Sequence, residues 1–131
     1  MRRILFILHL LLLSSLMACF GAQTTEGIEF WATFLKNHTN HTGSTSMTLT
    51  LIVSSRENAT VTIQNPQTGW QQSFSVSANQ IAKCIIPHNQ GYTYNTGIVE
   101  KRGLKITSTA PISLYASNYD EATYDASICL P

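Results

Sequence analysis

Alternation between apolar and polar side chains at every second position limits the fold of this chain more than any other feature. Residues 59–64 alternate strictly, residues 65–69 hold the turn-forming Asn, Pro and Gly, and residues 70–78 alternate again. Successive side chains of an extended strand point to opposite faces, so this pattern gives one face to a core and the other to water. The segment therefore predicts an antiparallel hairpin, followed by a strand over residues 80–86 that Pro87 ends.

The same two-residue period continues on both sides of this hairpin, and no segment beyond the N-terminus shows a helical period. Residues 37–46 consist only of Asn, His, Thr, Ser and Gly and predict an exposed loop. Seven or eight short strands separated by turn residues are typical of an all-β antiparallel sandwich, and this is the fold class that we predict. The further strand candidates are residues 27–36, 47–54, 103–107, 112–119 and 124–130, and residues 98–99 are a weaker, short one that is not counted.

The first 22 residues have the layout of an export signal. Two arginines near the start are followed by a largely apolar run over residues 4–18, which is shorter than the roughly 20 residues that span a bilayer as a helix. We predict a signal peptide over residues 1–22, cut near Ala22, and a secreted, cell-surface or outer-membrane location. Residues 16–19 also resemble a bacterial lipobox; cleavage would then precede Cys19 and leave it lipidated.

The remaining residues, 23–131, suit one β-sandwich domain with a single core. They carry six basic residues against seven acidic ones, so their net charge is −1. The one local basic group, Lys101, Arg102 and Lys105, is interpreted as a solvated turn and not as a phosphate-binding stripe. We therefore expect no nucleic-acid partner, and membrane contact only through the signal segment or a lipid on Cys19.

Removal or lipidation of Cys19 would leave Cys84 and Cys129 as the remaining cysteines. An oxidising compartment permits a disulfide between them, which would stabilise the fold by about 4 kcal/mol. However, Cys129 shares its strand face with Asp125 and Ser127, the side expected to face water, whereas Cys84 lies in an apolar run. We favour two separate thiols and keep the disulfide as the alternative.

No catalytic motif is visible in the sequence. Cys84, His88 and an acidic residue, Asp120 or Asp125, could supply a nucleophile, a base and an orienting group, but no flanking motif supports that arrangement. Asp120, Glu121 and Asp125 could form a weak calcium site; their spacing matches no loop motif, so we interpret them as a solvated turn. We expect a protein that is not an enzyme and that binds no cofactor or metal.

Aromatic side chains are the best candidates for a binding surface, because amphipathic rings contact sugars and proteins at low entropic cost. Trp70 and Phe74 share the predicted core face and are assigned to packing. Tyr92 and Tyr94 lie in a polar stretch between strands, so we predict that these two are exposed and contact a ligand. The full set of candidates is Trp31, Trp70, Tyr92, Tyr94, Tyr115, Tyr119 and Tyr124.

Five short segments, taken together and in order, carry a resemblance to a known family. They are residues 27–31 (GIEFW), 65–70 (NPQTGW), 74–79 (FSVSAN), 103–108 (GLKITS) and 111–119 (PISLYASNY). In this order they resemble the N-terminal domain of the IgG-Fc-binding protein family, which occurs in exported bacterial proteins and in a mucin-like animal protein. Asp125-Ala126 and Leu130-Pro131 follow, so the resemblance covers nearly all of residues 23–131.

The resemblance implies a secreted or surface-displayed β module without catalytic residues, named for antibody-Fc binding in the animal member. The family domain continues with more strands where this sequence stops at Leu130-Pro131, so we interpret the chain as a truncated member. Our hypothesis is an exported, non-enzymatic binding or adhesion module that recognises a protein or a glycan. The alternative is a ligand-free structural module or fragment of a larger surface protein.

Overall fold

Seven β-strands and one helical turn make up the described part of the chain. The computed structural model describes residues 24–36, 47–95, 97–120 and 123–131; the predicted signal segment, with Cys19, and the predicted loop over residues 37–46 lie outside them. Within the described residues, no helix is long and apolar enough to cross a membrane. In chain order the elements are β1 (Glu26–Ala32), β2 (Thr48–Ser55), β3 (Ala59–Asn65), β4 (Trp70–Val76), β5 (Gln80–Ile86), α1 (His88–Gly91), β6 (Leu104–Asp120) and β7 (Thr123–Cys129).

All seven strands belong to one antiparallel sheet organised around β6. The first part of β6, residues 104–108, pairs with β1 on one edge and with β3 on the other. The second part, residues 112–120, pairs with β7 and β2. In addition, β4 pairs with β3, and β5 pairs with β2. The strands therefore form two layers that share β6: a first layer in the order β1-β6-β3-β4 and a second layer in the order β7-β6-β2-β5.

The sheet folds over between the two parts of β6, so that the two layers face each other. Gly27 of β1 pairs with Ile112, whereas Glu29 already pairs with Thr107, so the intervening residues of β6 form an irregularity of the kind that bends a strand. Inward-facing side chains of both layers then meet in one buried cluster. Its fully buried members include Phe30, Val61, Ile63, Leu104 and Ile106 from the first layer and Leu49, Leu51, Val53, Ile86, Ile112 and Leu114 from the second.

A backbone bridge joins the two margins of the sheet at one end of the sandwich. Phe34, just beyond β1, and Tyr92, just beyond α1, are both buried and form a parallel bridge. The Phe34 N–H donates to the Gly91 carbonyl at 2.9 Å, and the Thr93 N–H donates to the Phe34 carbonyl at 2.9 Å. Since β1 and β5 lie at opposite margins, this bridge nearly closes the sheet. A side chain at Gly91 would crowd the bridge, because its Cβ would lie 3.1 Å from Phe34 and from Leu104.

The predicted fold class is confirmed, because the described chain forms an antiparallel all-β sandwich of seven strands. Two predicted strands, over residues 103–107 and 112–119, are in fact one, since β6 continues through Pro111 at its irregular centre. Ile98 and Val99 are exposed and belong to no strand. Ile28 is 57% exposed although Phe30, two residues further along β1, is buried, because the register shifts between Gly27 and Glu29.

The two cysteines in the described part of the chain are free thiols. Cys84 lies in β5 and Cys129 in β7, and two strands, β2 and β6, separate them in the second layer. A disulfide needs Cα atoms within about 7 Å, whereas three strand spacings of about 4.8 Å place β5 and β7 roughly 14 Å apart. The disulfide considered from the sequence is therefore not formed. Cys129 was expected to face water, but it is half-buried against the core cluster.

Candidate functional site

The outer face of the second layer carries most of the exposed tyrosines and isoleucines of the described chain. Alternation buries Leu114 and Ala116 of β6 inside, and the same alternation turns Tyr115 and Tyr119 outward. We call this surface the tyrosine face. Its members are Tyr115 and Tyr119 of β6, Tyr124 and Ile128 of β7, Ile52 of β2, and Ile81, Lys83 and Ile85 of β5.

Cross-strand pairing places these side chains beside one another. Tyr119 lies opposite Tyr124, with ring centroids 6.1 Å apart and the rings inclined by 61°. Tyr115 lies opposite Ile128 on one side and Ile52 on the other. Side chains directly opposite in an antiparallel pair have Cβ atoms about 5 Å apart, so the face is continuous across three strands.

This face is apolar and aromatic for a surface in contact with water. Tyr124 is 61% exposed, and Ile81 and Ile85 of β5 are 68% and 66% exposed. Among its described residues, Lys83 carries the one charge. Exposed apolar patches of this kind mark interaction sites, and the centres of protein interfaces are rich in Tyr and poor in charged residues.

The two tyrosines selected from the sequence have different environments. Tyr92 is 2% exposed, so its predicted exposure is wrong: the bridge to Phe34 draws it into the core. Tyr94 is 44% exposed and packs edge-on against Tyr92, with ring centroids 4.6 Å apart. The Tyr94 N–H donates to the Glu100 carboxylate at 2.6 Å, and this hydrogen bond is the main reason why the pKa of Glu100 is lowered. Tyr94 thus belongs to a fixed loop apart from the tyrosine face.

The outer face of the first layer is polar and holds a single large aromatic ring. Trp31 of β1, 57% exposed, lies opposite Lys105 of β6, which lies opposite Gln64 of β3. The Gln64 amide donates to the Gln71 side-chain carbonyl at 2.6 Å. The Lys105 ammonium lies 3.0 Å from the Glu29 carboxylate. We call this surface the tryptophan face.

A groove of about 460 Å³ opens between β7 and the segment that follows β1. Thr33, Phe34, Leu35 and Lys36 form one side, Asp125, Ala126 and Ser127 form the other, and Ala116 and Asn118 of β6 lie between them. The Asn118 amide N–H donates to the Leu35 carbonyl at 2.9 Å, which fixes the side chain. The Asn118 Oδ1 is buried and has no hydrogen-bond partner.

The residues considered for a hydrolase do not form an activated nucleophile in the described structure. Burial raises the pKa of the Cys84 thiol, which disfavours the reactive thiolate. The His88 ring nitrogen Nε2 donates to the Met47 carbonyl at 2.6 Å and is thereby committed to a backbone contact. Asp120 is buried at the end of β6, and Asp125 is exposed on β7.

The structure adds two features that the sequence interpretation missed. The first is the shared face of Tyr115, Tyr119 and Tyr124, which were candidates only as separate residues. The signal for it was present in the sequence, because Tyr115 and Tyr119 occupy the positions of β6 that alternate with the apolar Leu114 and Ala116. The second is Asn118, which was not singled out because its importance depends on Leu35, which is distant in sequence.

No protein-family model, curated protein or solved structure matches the chain.

Proposed function

We propose that this chain is an exported, non-enzymatic binding module that recognises a protein partner through the tyrosine face. The observation that carries the proposal is that Tyr115, Tyr119, Tyr124 and Ile128 are all exposed on the same outer face of one regular layer. The sheet fixes the backbone under the tyrosines, and each tyrosine side chain has only two rotatable torsions, so little conformational freedom is lost on association. Rigid aromatic anchors of this kind dominate binding energy in protein interfaces.

The partner surface is defined by the chemistry of the face. Its centre presents apolar and aromatic groups, and Lys83 beside Ile52 supplies one positive charge. A partner with an apolar patch and a carboxylate opposite Lys83 would complement both features. Immunoglobulin Fc is the first partner to test, because the resemblance to the IgG-Fc-binding family names that ligand class.

The test is surface plasmon resonance of the purified protein over immobilised immunoglobulin Fc. We expect Tyr115→Thr and Tyr119→Thr each to weaken binding by more than about tenfold, since a central interface tyrosine contributes on the order of 2 kcal/mol. Thr keeps a high β-propensity, so these variants retain the strand. Gln71→Thr, on the outer face of the first layer, is the matched control and should bind like the parent protein.

Two results would contradict this assignment. Equal binding by Tyr115→Thr, Tyr119→Thr and Gln71→Thr would remove the tyrosine face from the interface. Absence of binding by the parent protein at micromolar Fc would reject Fc as the partner and, with it, the function that the family resemblance implies.

A glycan on the tryptophan face is the second candidate function. An exposed indole ring can stack on the apolar face of a sugar. The ion pair of Lys105 with Glu29 lies beside Trp31, and Gln64 and Gln71 continue the same row across β3 and β4 with further donors and acceptors. Trp31→Thr separates the two candidates: it should abolish retention on immobilised glycans and leave Fc binding unchanged. The reverse result would assign Trp31 to the protein interface.

The remaining alternative is a ligand-free structural module of a larger surface protein. In that role the tyrosine face would contact neighbouring domains of the same protein. A downstream reading frame that continues into repeats or a sorting tail, together with no Fc or glycan binding, would favour this alternative.

A further inference from the structure

Four oxygen-bearing side chains share the inward side of the β6–β7 ladder at its turn end. Asn118 lies opposite Asp125, and Asp120 lies opposite Thr123. Residues two apart on a strand, and residues directly opposite across strands, project from the same face of a sheet. We call these four residues the oxygen quartet. It borders the groove, which Asn118 and Asp125 also line.

Two oxygens of the quartet lack a hydrogen-bond partner. They are the Asn118 Oδ1 and the Thr123 Oγ1, and they are the two unpartnered buried side-chain polar atoms found among the described residues. Asn118 is 6% exposed, and its amide nitrogen is already committed to the Leu35 carbonyl, so its carbonyl oxygen cannot be exchanged for the nitrogen by a flip. An unpaired buried acceptor destabilises the folded state, so these oxygens call for an electropositive partner.

The other two members supply negative charge. Asp120 is 4% exposed and Asp125 is exposed to the groove. Opposite Cβ atoms lie about 5 Å apart and diagonal ones about 7–8 Å apart, so four short side chains can converge on a point between them. Carboxylate, amide and hydroxyl oxygens at that spacing are the ligands that calcium takes. Lys36 also lines the groove, and it is the one cationic residue among the described lining residues.

We propose that the oxygen quartet binds a calcium ion, which enters through the groove. The ion satisfies the two unpartnered oxygens, and Asp120 and Asp125 contribute carboxylate oxygens at this end of the β6–β7 ladder. The set contains only two acidic residues, and no cluster of three His, Cys, Asp or Glu able to hold a metal occurs in the described part of the chain. The affinity therefore falls in the weak class of extracellular calcium modules, with a Kd of about 10⁻⁴–10⁻³ M. Magnesium fits poorly, because it demands compact octahedral geometry and gives up water reluctantly.

Thermal melts and titration calorimetry of the whole protein test this site with calcium chloride as the probe. We expect about 5 mM CaCl₂ to raise the melting temperature by several degrees and equal MgCl₂ to have little effect. Asp125→Asn removes one carboxylate from an exposed position and should weaken calcium binding by about tenfold without impairing folding. Glu57→Gln, an exposed carboxylate between β2 and β3, is the matched control and should bind calcium like the parent protein.

A melt that is the same with CaCl₂ and with EDTA would overturn the proposal and would assign the unpartnered oxygens to water. Equal calcium responses of Asp125→Asn and Glu57→Gln would also overturn it, because they would indicate general charge screening. Asn118→Ala is a second variant with the same expected loss of calcium response. These outcomes are independent of the proposed function, since the tyrosine face lies on the opposite side of the second layer.

Discussion

At the scale of single residues, Asn65 shows how one buried amide can connect separate parts of the chain. It ends β3 and is fully buried. Its Nδ2 donates to the carbonyls of Gln90 at 2.9 Å and Lys101 at 3.3 Å. Its Oδ1 accepts from the backbone N–H groups of Gln67 and Thr68. The β3–β4 turn, α1 and the loop before β6 are thereby joined at one side chain.

Replacement of Asn65 tests this connection. Asn65→Ala leaves buried carbonyls and N–H groups unpaired, and we expect it to lower the free energy of unfolding by about 2–4 kcal/mol. Urea denaturation of the variant measures the change. Gln67→Ala, which removes an exposed side chain of the same turn, should change the free energy by less than about 0.5 kcal/mol. Equal denaturation midpoints for the two variants would contradict the role given to Asn65.

The sequence predicts the turn at Asn65 but not the two distant hydrogen bonds. Asn followed by Pro is a turn signal that needs only local reading. The contacts with Gln90 and Lys101 depend on tertiary folding, which no local pattern encodes. Tyr92 was misassigned for the same reason, because its bridge partner Phe34 is distant in the sequence and meets it only in the folded chain.

At the scale of the strands, β6 determines the architecture, since four other strands pair with it. Ser55 of β2 contacts the bend of β6, and its hydroxyl donates to the Pro111 carbonyl at 2.8 Å. The same hydroxyl oxygen accepts the Glu57 N–H at 3.2 Å. Ser55 is buried, so both hydrogen bonds are partly shielded from water.

Removal of the Ser55 hydroxyl should weaken the bend. We expect Ser55→Ala to lower the free energy of unfolding by about 1–3 kcal/mol, because the Pro111 carbonyl loses its donor. Native-state hydrogen exchange should show faster exchange in the centre of β6. Ser54→Ala, one residue away on the outer face of β2, is the matched control. A control as destabilised as Ser55→Ala would show that the hydroxyl does not support the bend.

Alternation predicts which face of a strand is buried but not which strands are neighbours. Leu49, Leu51 and Val53 of β2 are buried as their period predicts. The order β4-β3-β6-β2-β5 does not follow the chain, because β2 and β3 both align along one edge of β6. The two-residue alternation of apolar side chains shows which way each side chain of a segment points. The order of the strands depends on which segments, distant in sequence, pair with one another.

At the scale of the whole molecule, the described part of the sandwich presents two different outer faces and a groove between β7 and the segment that follows β1. The tyrosine face is apolar with one lysine, and the tryptophan face is polar with one indole ring. Both arise from the same alternation, since each layer buries one set of side chains and exposes the other. The division between the two faces was not visible in the sequence, because it depends on the two parts of β6 belonging to different layers.

Tyrosine modification followed by mass spectrometry is the most direct test that folding leaves the tyrosine face free for a partner. All five tyrosines lie in the described chain, and a reagent that needs contact with the ring reports their exposure one by one. The account predicts rapid modification of Tyr94, Tyr115, Tyr119 and Tyr124, with Tyr124 fastest, and strong protection of Tyr92, which is 2% exposed. Protection of Tyr115, Tyr119 and Tyr124 in the purified protein, or modification of Tyr92 at their rate, would contradict it.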